Sequence, residues 1–136
     1  MNNIEQTLSI IKPDAVERNL ESEIKKEFVN KGFKIAKEKK IQLAKSEAEE
    51  FYKVHETKPF YNDLCAYLSS GPIVVMILEK EAAIIANREL MGATDPKKAG
   101  EGTLRKKFGI SIDKNSVHGS DSLENAKIEI NFFFKD

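Results

Sequence analysis

The apolar positions change their period several times along the chain, and each change marks an element. TLSIIK (7–12) alternates and is rich in branched side chains, so it reads as a strand. Pro13 follows, a residue suited to the first position of a helix. ESEIKKEFVNKG (21–32) sets Ile24, Phe28 and Val29 on one helical face and ends at Gly32, which fits a helix stop. FKIAKEKKIQL (33–43) predicts a second strand with a charged face. Ser46 and Glu49 have capping-box spacing and open a helix through EAEEFYKVHE. PFYNDLCAYLSSG (59–71) predicts a further short helix. PIVVMILEK (72–80) is apolar without alternation, which predicts a central strand buried on both faces. EAAIIANRELMG (81–92) predicts a helix ending at a glycine. A loop rich in glycine and lysine follows, then KNSVHGSDS (114–122). Asp121 and Glu124 repeat the capping-box spacing ahead of a last helix through LENAKIEINFFF.

A short strand at SVHG would complete the order βαββαβ, a split unit of the ferredoxin-like type. The expected fold is therefore α/β of the α+β kind: a four-stranded antiparallel sheet with helices packed on it. The 136 residues suit one domain spanning 1–136. A domain near that size buries roughly 68–70% of its unfolded surface, so no disulfide or structural metal is needed. The single cysteine, Cys65, excludes an intrachain disulfide framework and a cysteine-cluster zinc site, and a buried small side chain is expected there. Lys and Arg total 22 and Asp and Glu total 22, so no global charge steers the chain towards nucleic acid or a membrane. The opening MNNIEQTLSIIKPDAV lacks the basic and long apolar regions of a secretory signal, and IVVMIL is too short to span a bilayer. A soluble cytoplasmic protein is the expectation.

The common nucleotide motifs are missing. There is no G-x-x-x-x-G-K-[ST], GEGTLR has arginine at the third glycine position, and neither H-R-D nor D-F-G occurs. Two distant histidines make a weak metal case. What remains is anion chemistry: Lys12, Arg88, Thr94 and Arg105 lie near glycines, helix ends and turns, and Thr103 can cap the short helix that carries Arg105. Any one of these taken alone reads equally as a solvated surface charge. His118 is either a turn histidine without a role or a nucleophile. Asn115 close by and Glu129 on the following helix favour the second, because a carboxylate that accepts one ring N–H fixes the tautomer and leaves the other nitrogen available.

These segments resemble the nucleoside diphosphate kinase family over nearly the whole chain. The likeness runs through TLSIIKPDAV, FYKVH, KPF, SGP, RELMGAT (88–94), GTLR and NSVHGSDS (115–122). The resemblance implies transfer of a γ-phosphate from a nucleoside triphosphate to a nucleoside diphosphate, by a ping-pong route through a phosphohistidine. It makes His118 the nucleophile, oriented by Glu129, with Ser120 supporting Glu129. Lys12 would meet the γ-phosphate and the ribose 3′-hydroxyl, Asn115 the ribose hydroxyl, and Tyr52 would line the site. Arg88, Thr94 and Arg105 would hold the phosphates. Phe60 would stack on the base, with Ile112 closing the other side, and stacking alone tolerates every base. Mg²⁺ would come bound to the nucleotide rather than to a protein cage. The partners implied are nucleoside di- and triphosphates and further copies of the chain, as a homotetramer or homohexamer, with no nucleic acid and no membrane.

Two positions depart from the family pattern. Ser22 stands where a glycine is usual, so a changed backbone or an earlier helix start is expected there. Glu101 stands where proline often precedes G-T, which would loosen the phosphate loop or bring an unfavourable charge to it. His55 has no assigned role and reads as a surface or half-buried helical residue, and FFF (132–134) as core or subunit interface. The alternative function is a nucleotide sensor or scaffold without turnover, against which the intact set of site residues argues. A nucleic-acid-binding sheet ranks below both, since the aromatics such sheets use are missing.

Overall fold

The structure, a computed structural model, describes residues 4–112 and 114–134; residues 1–3, 113 and 135–136 of the expected 1–136 span lie outside them. Four strands, β1 (Ile4–Ile11), β2 (Lys34–Ile41), β3 (Ile73–Glu81) and β4 (Val117–Gly119), form one sheet in the order β2-β3-β1-β4. Every neighbouring pair is antiparallel. The helices are α1 (Pro13–Glu17), α2 (Glu21–Asn30), α3 (Lys45–Phe51), α4 (Tyr61–Leu68), α5 (Ala83–Met91), α6 (Leu104–Phe108) and α7 (Leu123–Phe133). The expected ferredoxin-like α+β architecture is thus the one observed.

Alternation along β3 explains why that strand shows no polar face. Val74, Met76 and Leu78 join Ile11 and Val117 in one core layer, under Ala15, Ile24, Phe28, Leu90 and Leu104 of four helices. Ile73 and Val75 join Leu8 and Ile10 in the other layer, with Ala48, Tyr52, Cys65, Leu68 and Phe133. Water reaches neither face, so both sets of side chains are apolar. The edge strand β2 differs. Its exposed lysines, with Lys25–Glu38 at 2.6 Å and Lys40–Glu21 at 3.3 Å tying it to α2, make it a poor template for further pairing.

Several expected boundaries move, each for a local reason. β1 starts at Ile4, three residues early, because β3 runs to Glu81 and supplies a partner for each residue from Ile4 to Ile11. Helix α3 begins at Lys45: the Glu47 carboxylate takes the Ala44 N–H at 2.8 Å, so the Ser46–Glu49 pair does not open it. The last helix is capped by Ser122, whose Oγ accepts the Asn125 N–H at 3.0 Å, while Asp121 is engaged by the Asn125 side chain at 2.6 Å. The α-helix predicted through His55 stops at Phe51, and Lys53–His55 form a 3₁₀ turn. Ser22 lies in the first turn of α2, which starts at Glu21 as expected, after Asn19 in the left-handed region at φ 61°. Val29 is exposed rather than on the buried face of α2. Of the three C-terminal phenylalanines, Phe133 is core and the Phe134 ring lies under Lys39 Nζ at 4.9 Å.

Phe28 is fully buried and meets Phe33 edge-on at 5.6 Å. Phe28→Ala is expected to lower unfolding free energy by about 3–5 kcal/mol, the usual range for such a truncation. Urea denaturation of the two proteins measures the difference.

Candidate active site

The side chains on β4 alternate, and this settles where the histidine goes. Val117 packs into the layer beneath α5, so His118, which pairs with Ile10, turns to the opposite face beside α3 and α7. There its Nε2 lies 2.9 Å from Glu129 Oε1. A carboxylate only accepts, so Nε2 carries the proton and Nδ1 is the nitrogen with a lone pair. Ser120 Oγ donates to the same Oε1 at 2.9 Å. Ser120 is itself fastened to β1, its Oγ accepting the Leu8 N–H at 3.3 Å and its N–H donating to the Leu8 carbonyl at 3.2 Å. Phe51 meets the imidazole edge-on at 5.5 Å. Tyr52 lines the same pocket, and burial, helped by Cys65 and Glu129, pushes its phenol well above the ordinary range.

A second cavity adjoins the first at Gly119, a residue that lines both. It holds about 230 Å³ and is lined by Arg88, Thr94 and Arg105 together with Met91, Gly92 and Ala93. Arg88 sits in the last turn of α5, which ends at Gly92 with φ 83°. Arg105 is carried by α6, whose first turn is capped by the Thr103 hydroxyl accepting the Lys106 N–H at 3.3 Å. Its guanidinium donates to the carbonyls of Gly92 at 3.0 Å and Val117 at 2.9 Å, and its buried Nε has no partner among the described residues. Burial, and then the like charge of Arg88, pull the Arg105 pKa down to about 10, so the group is still a cation at neutral pH. A desolvated cation facing another cation is a site that an anion relieves.

Lys12 lies between β1 and α1, is 6% exposed, and donates from Nζ to Asn115 Oδ1 at 2.9 Å. The Asn115 amide in turn donates to the Thr94 carbonyl at 3.2 Å, linking the lysine to the arginine cavity. Phe60 is 47% exposed and lines a third cavity of about 270 Å³ with Asp63, Leu64, Tyr67 and Lys114. Ile112, 56% exposed, stands two positions before Lys114 on the loop that borders it. The larger cavity of about 470 Å³, lined by Glu101, Gly102 and Thr103 among others, contains neither histidine nor arginine. Glu101 faces that cavity, with Lys31 and Lys80, and is not among the residues lining the arginine cavity.

The sequence reading passed over two features. His55, given no role, lines the His118 pocket, with its ring 6.1 Å from Tyr52 and 6.2 Å from Phe60. Burial, and next Lys58, lower its pKa, so it is mostly neutral at pH 7. The three-residue spacing from Tyr52 was the available signal. The other feature is a cluster in which Arg18, Tyr67 and Ser116 donate to the Asp14 carboxylate.

The fold and the site together define a phosphate-handling protein: a histidine with a fixed tautomer beside a pocket of two arginines. A sequence profile described as nucleoside diphosphate kinase matches residues 5–136. The nucleoside diphosphate kinase of Wolinella succinogenes is 59% identical over 131 residues, covering 96% of each chain. That of Nitratiruptor sp. is 60% identical over 131 residues, again 96% of each. The crystal structure of the Aquifex aeolicus nucleoside diphosphate kinase superposes with a TM-score of 0.95 at 41% identity, covering 97% of this chain and 96% of that one. The chain belongs to the nucleoside diphosphate kinase family, whose members move phosphate between nucleotides.

Pyrophosphate should relieve the Arg88–Arg105 repulsion and stabilise the folded state. At about 100 times its dissociation constant it adds about 2.7 kcal/mol, which for a domain of this size raises Tm by about 5–10 °C. The rise should vanish in the Arg88→Ala/Arg105→Ala double variant. Scanning calorimetry with and without pyrophosphate is the check.

Proposed function

We propose that this chain transfers the γ-phosphate of ATP or another nucleoside triphosphate to a nucleoside diphosphate through a phosphohistidine at His118, as one catalytic unit spanning 1–136. The observation that carries the proposal is the Nε2–Glu129 hydrogen bond of 2.9 Å, which leaves Nδ1 unprotonated in a pocket contiguous with Arg88 and Arg105. In the first half-reaction the Nδ1 lone pair attacks the γ-phosphorus. The bond from that phosphorus to the β–γ bridging oxygen breaks, and the diphosphate leaves with the electron pair. In the second, a terminal oxygen of the incoming diphosphate attacks the same phosphorus, the P–N bond breaks, and the imidazole is regenerated. One pocket serves donor and acceptor because the histidine splits the transfer in two.

The protein side of such a reaction is positioning and charge neutralisation. Glu129 holds the imidazole and stabilises it as positive charge develops, and Ser120 holds Glu129. Arg88, Thr94 and Arg105 cradle the phosphates, and Lys12 bridges γ-phosphate and ribose 3′-hydroxyl. Asn115 binds the ribose, Tyr52 borders the histidine, and Phe60 and Ile112 enclose the base. Mg²⁺ would be held on the nucleotide's own phosphates, as is usual for this ion. When bound there, Mg²⁺ supplies further neutralisation of phosphate charge. No helix among the described residues is long and apolar enough to cross a membrane, and a cytoplasmic setting, where nucleotide pools reside, fits this activity. Assembly with copies of itself, as a tetramer or hexamer, completes the reading.

With γ-labelled ATP and Mg²⁺ the protein should acquire acid-labile, alkali-stable label that GDP discharges as GTP. His118→Ala should take up no label yet still bind ADP, because binding rests on the basic residues and Phe60. Arg105→Ala should weaken both binding and transfer, by about 10-fold or more for a charged phosphate contact. ATP binding with no label on the unmodified protein would leave a nucleotide pocket without the chemistry.

A further inference from the structure

Asp14 is a carboxylate that phosphate transfer does not use, yet it is 5% exposed and accepts from three side chains. Its Oδ1 takes the Tyr67 O–H. Its Oδ2 takes the Ser116 O–H at 2.8 Å and the Arg18 Nη2–H at 3.0 Å. Arg18 also donates to the Phe108 carbonyl at 2.6 Å and, through Nε, to the Asp14 carbonyl at 3.0 Å. Helix α1, helix α4, the end of α6 and the loop entering β4 therefore converge on one buried anion. A negative charge taken from water is retained only where donors of this number replace it.

Ser116 is the member of this cluster with a backbone anomaly. Its φ is 73°, in the left-handed region that residues with a Cβ seldom occupy. Its carbonyl accepts the Lys12 N–H at 2.8 Å. The residue before it is Asn115, whose side chain bonds Lys12 Nζ and the Thr94 carbonyl. The direction of the Asn115 side chain thus depends on the turn at Ser116, and that turn is tied by its hydroxyl to Asp14. The strain sits one residue from a polar pair that faces substrate, which is where strained backbone serves positioning.

We propose that Asp14 is a positioning residue for sugar recognition. Its carboxylate holds Ser116 in the left-handed turn and so sets Asn115 and Lys12 against the ribose hydroxyl. The proposal rests on the reading above, in which Lys12 and Asn115 meet the ribose 3′-hydroxyl. Asp14 itself touches no substrate and acts through Asn115, whose contact is the ribose hydroxyl, so its effect falls mainly on nucleotides that have that hydroxyl. A carboxylate serving only to hold the fold together would affect every nucleotide alike.

The test is kcat/KM for phosphate transfer from ATP to GDP and to 3′-deoxy-GDP. Wild type, Asp14→Asn, Ser116→Ala and the double variant Asp14→Asn/Ser116→Gly are compared at a temperature where circular dichroism shows each folded. Wild type should prefer GDP. Asp14→Asn should lose about 10-fold or more on GDP and change by less than about 3-fold on 3′-deoxy-GDP. Ser116→Ala keeps Asp14 and its bonds to Tyr67 and Arg18, and should show the same selective loss even if Asp14→Asn does not fold. Adding Ser116→Gly to Asp14→Asn should restore most of the rate on GDP, because glycine adopts this φ without help from a carboxylate. Equal losses on the two acceptors, or no rescue by glycine, would overturn the proposal and leave the ribose reading standing. A wild type indifferent to the 3′-hydroxyl would overturn the ribose reading and this proposal with it.

Discussion

One carboxylate oxygen, Oε1 of Glu129, accepts from both the His118 imidazole and the Ser120 hydroxyl at 2.9 Å. Both donors come from the last short strand and its exit, whereas Glu129 comes from the helix that follows. For the three groups to meet, α7 must fold back over β1, and the strand must pair with β1 in the register Ile10–His118 and Ser9–Gly119. A slip of one residue would send the imidazole into the layer under α5, because strand side chains alternate. The tautomer of a single ring therefore depends on the register of a three-residue strand, and the Ser120 bonds to the Leu8 backbone fix that register.

The remaining parts divide the electrostatic work by location. The imidazole and its carboxylate occupy one side of Gly119 and the two arginines the other. Negative charge from the protein is kept next to the histidine, and positive charge next to the cavity that suits phosphate. Glu101 lines a separate cavity with Lys31 and Lys80 and is not among the residues lining the arginine cavity. Arg105 is desolvated and close to Arg88, so the two cations disfavour each other in the free site, and a bound anion would offset this.

The fold was legible where hydrophobic pattern and burial agree. The two-sided core of β3, the buried face of α2 at Ile24 and Phe28, and the short strand at His118 all follow from side-chain periodicity. Boundaries were less legible because capping depends on which of several adjacent polar residues wins the backbone donors. Glu47 displaced Ser46 and Glu49 at α3, and Ser122 displaced Asp121 at α7. The site was legible through family motifs more than through patterning: bottom-up, Lys12, Arg88 and Arg105 were three basic residues among 22. The Asp14 cluster was illegible because its members, Asp14, Arg18, Tyr67 and Ser116, are scattered over a hundred residues and only tertiary packing unites them. His55 is half-buried as expected, but its place in the lining of the His118 pocket was not legible, because the chain after Phe51 turns as a 3₁₀ segment rather than continuing the α-helix.

Gly119 restricts how this protein can diverge. A Cβ at that position would lie 2.3 Å from Asn87 Nδ2 and 2.7 Å from Met91 Cε, and the residue borders both halves of the pocket. Any side chain there must push aside the ends of Asn87 and Met91 at the point where the two halves of the pocket join. A change at this one position would therefore be felt on the histidine side and the arginine side at once.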